Sequence, residues 1–300
     1  MGAFVVVGWF LAAAPAWSAA PAPNGTVVFE SDFGLEDGAV SAMHGVALSL
    51  DPTLRLEDLT HEIPPFNIWE GAYRLAQTAP YWPKGTVFVT VIDPGVGTER
   101  KSIALETASG HYFVGPDNGT FTLVADQLGI EAVRVVDESR HRRPGSERSS
   151  TFHGRDIYAL TGAELASGRT AFEDIGPLLQ SEMVRIPFQK PALEGDHVTG
   201  TVPVLDVRFG NVWTNIDRAT FEKLGLALGD TARVRIFRGE QLVFEGSMPY
   251  VATFGDVPEG KTLLYLNSLD AVSFAINLGS FATTYGIGSG PDWRAEVRKG

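Results

Sequence analysis

Residues 86–95 read Thr86-Val87-Phe88-Val89-Thr90-Val91-Ile92-Asp93-Pro94-Gly95, a continuous apolar and β-branched run that stops abruptly at an Asp-Pro-Gly turn. A run without polar alternation marks a strand buried on both faces, as in a parallel sheet covered by helices. Working outward, Thr26–Glu30 is a second such run, ending at Ser31-Asp32-Phe33-Gly34. Between the two, Gly38–Leu50 and Trp69–Thr78 carry helical patterns, and Arg55–Leu59 reads as a short strand. Ile103–Glu106 and Tyr112–Val114 form an expected hairpin, followed by helices over Phe121–Leu128 and Ile157–Ser167.

The pattern changes after Arg185. Pro187 and Pro191 flank a polar stretch, Glu194–His197, and strands dominate beyond it: Gly200–Asp206, Ala232–Arg238, Gln241–Glu245 and Thr262–Asn267. The turn Arg238-Gly239-Glu240 joins two of them as a hairpin. The expectation is an α/β N-terminal domain with a largely parallel sheet over residues 24–190, then a smaller, mainly antiparallel C-terminal domain, β-barrel-like or a sandwich, over residues 191–300.

Of the 300 residues, 44% are hydrophobic and 20% charged, a globular balance. The net charge of −12 argues against a phosphate-tracking surface, so no nucleic-acid partner is expected. The absence of cysteine rules out disulfides, thiolate nucleophiles and cysteine-ligated zinc. Residues 1–23 have an apolar run, Ala3–Ala14, followed by small residues, as in a signal peptide, although no basic residue precedes Arg55. That run is too short for a comfortable membrane span, so export and no stable membrane span are expected.

Asp32 and Asp93 sit just beyond the C-terminal ends of strands, where open α/β sheets bind ligands. There a carboxylate can hold a ribose diol or a water, or simply cap a turn. Gly95-Val96-Gly97-Thr98-Glu99-Arg100 fails as a dinucleotide fingerprint, because Arg100 replaces the third glycine and a strand follows. The segment instead places Arg100 seven residues after Asp93, where a loop can return it towards the carboxylate. His153, between Phe152 and Gly154 before a helix, can face a pocket or serve as a structural histidine. His61-Glu62 lacks the rest of an HExxH pair and no second histidine lies at ligand spacing, so no metal site is expected. Asp206–Asn215 is dense in polar and aromatic groups, with Asn211 suited to an adenine edge and Phe209 or Trp213 to a base face; composition fits a tight turn with core aromatics equally well.

Seven motifs occur in order: Ser31-Asp32-Phe33-Gly34 with Asp37; Leu59–Phe66; Ile92–Thr98 with Arg100; Gly115-Pro116-Asp117-Asn118-Gly119; Thr151–Asp156; Phe209–Ile216; and Tyr265–Ser268. Together they resemble the S-adenosylmethionine hydroxide adenosyltransferases, hydrolytic relatives of the fluorinase and chlorinase, over Val27 to about Gly286. The resemblance implies attack of water on the ribose C5′ of S-adenosylmethionine, with release of adenosine and methionine and no cofactor. It also implies homotrimers with active sites between subunits. The hydrolytic triad would be Asp93, Arg100 and His153, with Asp93 and His153 orienting the water and accepting its proton. Asp32 would hold the ribose, with Phe66 and Phe152 around the ribose and sulfonium. Asp206 and Ser268 would hold the methionine amino end, and Asn211 the adenine, packed by Phe209, Trp213 and Phe254.

Halogenating relatives carry an uncharged side chain where Asp93 stands. The fluorinase adds a small hydroxyl at the position of Gly154 and a long insertion where this chain has only Glu106–Tyr112. Two departures stand out: Leu269 occupies the place of an arginine for the methionine carboxylate, and Asn67 that of an expected aspartate. The alternatives are a halogenase of the same fold and an exported nucleoside-binding protein without turnover.

Overall fold

A computed structural model describes residues 21–300; the expected leader lies almost wholly outside the described residues. The first half runs β1 (Thr26–Ser31), α1 (Ala39–Leu50), β2 (Arg55–Thr60), α2 (Ile68–Thr78), β3 (Val87–Val91), β4 (Ser102–Glu106), β5 (Tyr112–Pro116), α3 (Thr122–Leu128), β6 (Ala132–Val135) and α4 (Ala159–Ala166). Its strands form one sheet in the order β2-β1-β3-β5-β4-β6. β1 is parallel to β2 and β3, and β3 to β5; β4 alone runs the other way, antiparallel to β5 and β6.

The apolar runs are explained by cover on both faces. β1 sends Val27 and Phe29 to one side, where Val87, Val89 and Val91 of β3 meet Met43, Ala47, Ile157 and Ala163. Val28 and Phe88 point to the other side, against Leu75, Phe113, Phe121 and Val124. α4 lies so close to β3 that a Cβ at Gly162 would come within 2.4 Å of Val89 Cγ2, which leaves room for glycine alone. From β1 the chain steps outward to β2, whereas from β3 it continues to the other side of the sheet. The point of reversal therefore lies between the C-terminal ends of β1 and β3, where ligands bind in such folds.

The second half comprises β7 (Ala192–Glu194), β8 (His197–Val202), β9 (Val204–Leu205), β10 (Val212–Asp217), α5 (Arg218–Phe221), β11 (Thr231–Arg238), β12 (Gln241–Pro249), β13 (Thr262–Leu266), β14 (Ala271–Ile276), α6 (Phe281–Tyr285) and β15 (Gly290–Lys299). Their ladders are antiparallel, as expected, in sheets β13-β14-β10-β9 and β12-β11-β15-β8-β7. The barrel-like expectation needs correction: among the described strands no ladder closes a barrel. The two sheets instead share one core, in which Val212, Leu264 and Phe274 of one meet Val234, Ile236 and Val297 of the other. α2 ties the halves together, with Trp69 Nε1 donating to the Pro203 carbonyl at 2.9 Å and Arg74 Nη2 to the Leu205 carbonyl at 2.9 Å. Among the described residues no helix is long and apolar enough to cross a membrane.

Candidate active site

The loop after β3 folds back on itself. Thr98 donates its N–H and its hydroxyl to the Gly95 carbonyl, and Arg100 N–H donates to Thr98 Oγ1. This return sets the Arg100 guanidinium against the carboxylate of Asp93, Nε to Oδ1 at 2.9 Å and Nη2 to Oδ2 at 2.5 Å. The two side chains are only 9% and 6% exposed, so the pair is well shielded from solvent. Burial disfavours the Arg100 charge, but the Asp93 hydrogen bonds, with the charges of Asp93 and Glu138, outweigh it and raise its pKa.

The same Nη2 lies 2.8 Å from Nδ1 of His153. An arginine only donates, so Nδ1 accepts and the neutral imidazole carries its proton on Nε2. Burial first, and the Arg100 charge second, push the His153 pKa below its ordinary value. Its Nε2 is buried without a protein hydrogen-bond partner. The residue opens a single π-helical turn, Gly154–Tyr158, that leads into α4; such turns recur at functional sites. Behind the pair, Arg100 Nη1 donates to Ser102 Oγ at 3.1 Å, Ser102 donates to Glu138 Oε1 at 2.7 Å, and the Tyr158 hydroxyl approaches Asp93 Oδ2 at 3.5 Å.

Asp32, after β1, accepts from the Phe66 N–H at 2.8 Å. Burial, with a smaller effect of the Asp93 charge, raises its pKa. Phe66 adopts the left-handed conformation, φ 67°, and exposes 70% of its surface. A bulky residue held at positive φ is uncommon and needs support, which Asp32 provides here. Asp32, Phe66, Asp93, Phe152 and His153 line one cavity of about 270 Å³, with Phe33 as a further wall. Phe33 and Phe152 meet edge to face at 5.6 Å. Arg100 stands behind Asp93 rather than in the wall.

Asp206, Phe209, Asn211, Trp213, Phe254 and Ser268 line a different cavity, of about 820 Å³, in the second half of the chain. Asn211 is buried and its Nδ2 donates to Asp206 Oδ2 at 3.1 Å, which closes the 206–211 loop. Gly210 has φ 69°, and a Cβ there would run into Ser280 Oγ, so the loop requires glycine at this position. Phe209 and Phe254 present exposed rings, and Phe254 packs 5.0 Å from Tyr265. Arg208, missed in the sequence although it lies inside the Asp206–Asn215 stretch, is the one basic side chain lining this cavity among the described residues. Leu269 lines a separate groove, and Asn67 caps α2 by accepting from Glu70 N–H at 3.0 Å. The twelve expected site residues thus fall into two groups, and no residue lines both cavities.

The comparisons with known proteins cover both halves. Residues 27–176 match the SAM hydroxide adenosyltransferase N-terminal domain and residues 200–294 its C-terminal domain. The chain belongs to the SAM hydroxide adenosyltransferase family. It is 40% identical over 271 residues to the (R)-S-adenosyl-L-methionine hydrolase of Salinispora tropica, covering 90% of this chain and 97% of that one. A fluorinase of an Actinoplanes species is related at 32% over 292 residues, covering 89% and 96%. The crystal structure of an uncharacterized conserved protein from Thermotoga maritima superposes with a TM-score of 0.83 at 34% identity, covering 91% of this chain and all of that one.

As in the sequence expectation, the family chain has only a tight Thr107–His111 turn between β4 and β5, closed by Thr107 N–H to the His111 carbonyl. The expectation of no metal ligands does not anticipate one grouping. His44, Asp58 and His61, from α1, β2 and the residue after β2, place their donor atoms within 4.8 Å of one another.

Proposed function

We propose that this protein hydrolyses S-adenosylmethionine to adenosine and methionine by in-line attack of water on ribose C5′. The observation that carries the reading is the buried Asp93–Arg100–His153 cluster at the wall of a cavity that also holds Asp32, at the point of strand reversal. The name of the Salinispora relative specifies the (R) form; since L already describes the amino-acid carbon, (R) denotes the sulfonium centre. We extend that stereochemistry to this chain.

The leaving thioether departs neutral, so neither a general acid nor a cofactor is needed. Attack forms the C5′–O bond, breaks the C5′–S bond and releases one proton. Arg100 anchors both Asp93 oxygens and the Tyr158 hydroxyl also approaches Oδ2, so Oδ1 is the oxygen that retains a lone pair to accept a hydrogen bond from the water. His153 holds its proton on Nε2, so it donates to the water oxygen; the sequence expectation that it accepts the proton is replaced. Asp93 takes the proton as the bond forms, and Arg100 holds its carboxylate in place beforehand. Alignment of this kind contributes up to about 7–11 kcal/mol to lowering the barrier. Phe33, Phe66 and Phe152 wall the ribose and sulfonium, and aromatic faces favour that cation.

The second cavity supplies the adenine and methionine contacts: Asn211, Phe209, Trp213 and Phe254 around the base, Asp206 and Ser268 at the amino group. Arg208 takes the carboxylate in place of the arginine replaced by Leu269. Two complementary half-sites that share no lining residue support a homotrimer in which the second cavity of one protomer completes the first cavity of its neighbour. The leader supports export, which mass spectrometry of the mature N-terminus tests.

The test is incubation of the purified protein with each sulfonium epimer, with and without chloride, while adenosine is followed by chromatography. Adenosine above the spontaneous background, independent of chloride, is the expected result. Formation of 5′-chloro-5′-deoxyadenosine favours the halogenase reading instead, and tight adenosine binding without product favours a nucleoside-binding protein.

A further inference from the structure

Outside the site described above, His44, Asp58 and His61 form a cluster with an unusual geometry. His44 Nε2 lies 2.8 Å and His61 Nε2 3.0 Å from the same oxygen, Asp58 Oδ1. His61 is buried, its side chain 1% exposed, yet its Nε2 makes no hydrogen bond despite that close approach. The nitrogen therefore aims beside the oxygen rather than at it. Two ligands bonded to one metal at about 2.0–2.1 Å are separated by about 2.9 Å at a right angle and about 3.3 Å at the tetrahedral angle, a range that includes the 3.0 Å contact, with each lone pair directed at the metal and not at the other ligand. The His61–Asp58 contact has that form.

The chain is also shaped to bring these groups together. In a regular strand, side chains three positions apart point to opposite faces. The β1–β2 ladder pairs Phe29 with Asp58 and Glu30 with Thr60, so Leu59 is an extra residue, a bulge that turns Asp58 and His61 to the same side. On its far side, His61 Nδ1 lies 2.7 Å from Ser31 Oγ. That hydroxyl can accept Nδ1–H and leave the Nε2 lone pair free, the usual outer-shell partner of a ligating histidine. His44, its ring tilted against Phe29 with centroids 4.8 Å apart, is 25% exposed and Asp58 41% exposed, so further coordination positions open to solvent.

We propose that His44, Asp58 and His61 bind one divalent transition-metal ion of the zinc class, completed by solvent. Two imidazoles and a carboxylate suit Zn²⁺, Co²⁺ or Ni²⁺ rather than Mg²⁺ or Ca²⁺. His44 turns slightly on binding, because its Nε2 now hydrogen-bonds to Asp58. The His61 carbonyl accepts Gly34 N–H at 2.7 Å, and Ser31 adjoins Asp32, so the ion stiffens the loop that carries the ribose carboxylate.

The test uses tag-free full-length protein, stripped with EDTA and titrated with CoCl₂ by absorption and with ZnCl₂ by calorimetry. One equivalent per chain is expected to bind, with a visible Co²⁺ d–d band. His44→Gln, at a partly exposed position, keeps the fold by circular dichroism and weakens binding at least about tenfold. His197→Gln, at a separate histidine next to Asp196, leaves binding unchanged. Failure of the folded wild-type chain to bind one saturable equivalent, or equal affinity in His44→Gln, overturns the proposal.

Discussion

Arg100 grips both carboxylate oxygens of Asp93 and, through the same Nη2, donates to Nδ1 of His153. One guanidinium thus fixes the orientation of the carboxylate and the tautomer of the imidazole, and the division of labour at the water follows from it.

Asp93→Asn tests that division. The amide keeps the shape but presents an NH₂ to Arg100, so the proton acceptor is lost and the pair is broken. Turnover is expected to fall by roughly 10²–10⁴-fold, while calorimetry shows adenosine binding changed only slightly. Near-normal turnover removes Asp93 from the role assigned to it.

The depressed His153 pKa has a direction in pH. The folded state holds the imidazole neutral, whereas the unfolded chain takes up a proton below its ordinary value of about 6.5. Stability associated with His153 is complete above that value and is lost as pH falls from it to the lower folded value. Thermal melts between about pH 7.5 and 5 are expected to show wild type losing ground to His153→Gln as pH falls. A constant difference between the two is the contrary outcome.

Glu30 runs the other way. It is 1% exposed in β1, and both carboxylate oxygens lack a hydrogen-bond partner. Burial raises its pKa well above the ordinary value. The folded state prefers the protonated acid, so stability is complete below about pH 4.3 and declines as pH rises towards the folded pKa. Glu30→Gln is expected to melt higher than wild type near pH 8, by roughly 2–4 °C for each kcal/mol recovered, and much closer to it near pH 4.5. Equal offsets at both pH values contradict this.

Gly154→Ser copies the halide-binding hydroxyl expected in a fluorinase. Here a Cβ at residue 154 meets Val91 Cγ1 at 2.9 Å, Met43 Sδ at 3.3 Å and Phe33 Cε2 at 3.4 Å. The substitution overpacks the cavity wall and is expected to cost about 1–3 kcal/mol in denaturant melts. With Asp93 in place it yields no halogenated nucleoside; chromatographic detection of one refutes the nucleophile assignment.

In its proposed role Arg208 binds the substrate carboxylate equally in ground and transition states, and Arg208→Gln removes that contact. KM should rise about tenfold or more with kcat little changed, as expected when uniform binding is lost. In the proposed homotrimer with shared sites, mixing Arg208→Gln with Asp93→Asn protomers before assembly is expected to restore part of the activity, because some sites then combine two intact halves. Unchanged KM removes Arg208 from the carboxylate role.

The first half of the fold is legible because β1 and β3 are buried throughout and mostly apolar or β-branched, a consequence of helical cover on both faces. β15 is not legible in the same way: Trp293, Ala295 and Val297 face the core, but Arg294, Glu296 and Arg298 alternate with them and dilute the apolar signal. β14 escaped for a different reason, being a short run next to a turn at Asp270, a residue held at φ 61°. The Asp93 to Arg100 return was visible as a seven-residue spacing. The His153 tautomer was not, since it depends on which nitrogen Arg100 reaches across 53 positions of chain. Nor was the His44–Asp58–His61 grouping, which a one-residue bulge creates.

The most direct measurement of the central claim is turnover of the (R)-sulfonium epimer of S-adenosylmethionine in ¹⁸O-labelled water, with mass analysis of both products. Attack of water at C5′ places one ¹⁸O in the 5′-hydroxyl of adenosine and none in methionine. Unlabelled adenosine, label in methionine, or no product from folded protein contradicts hydrolysis at this site.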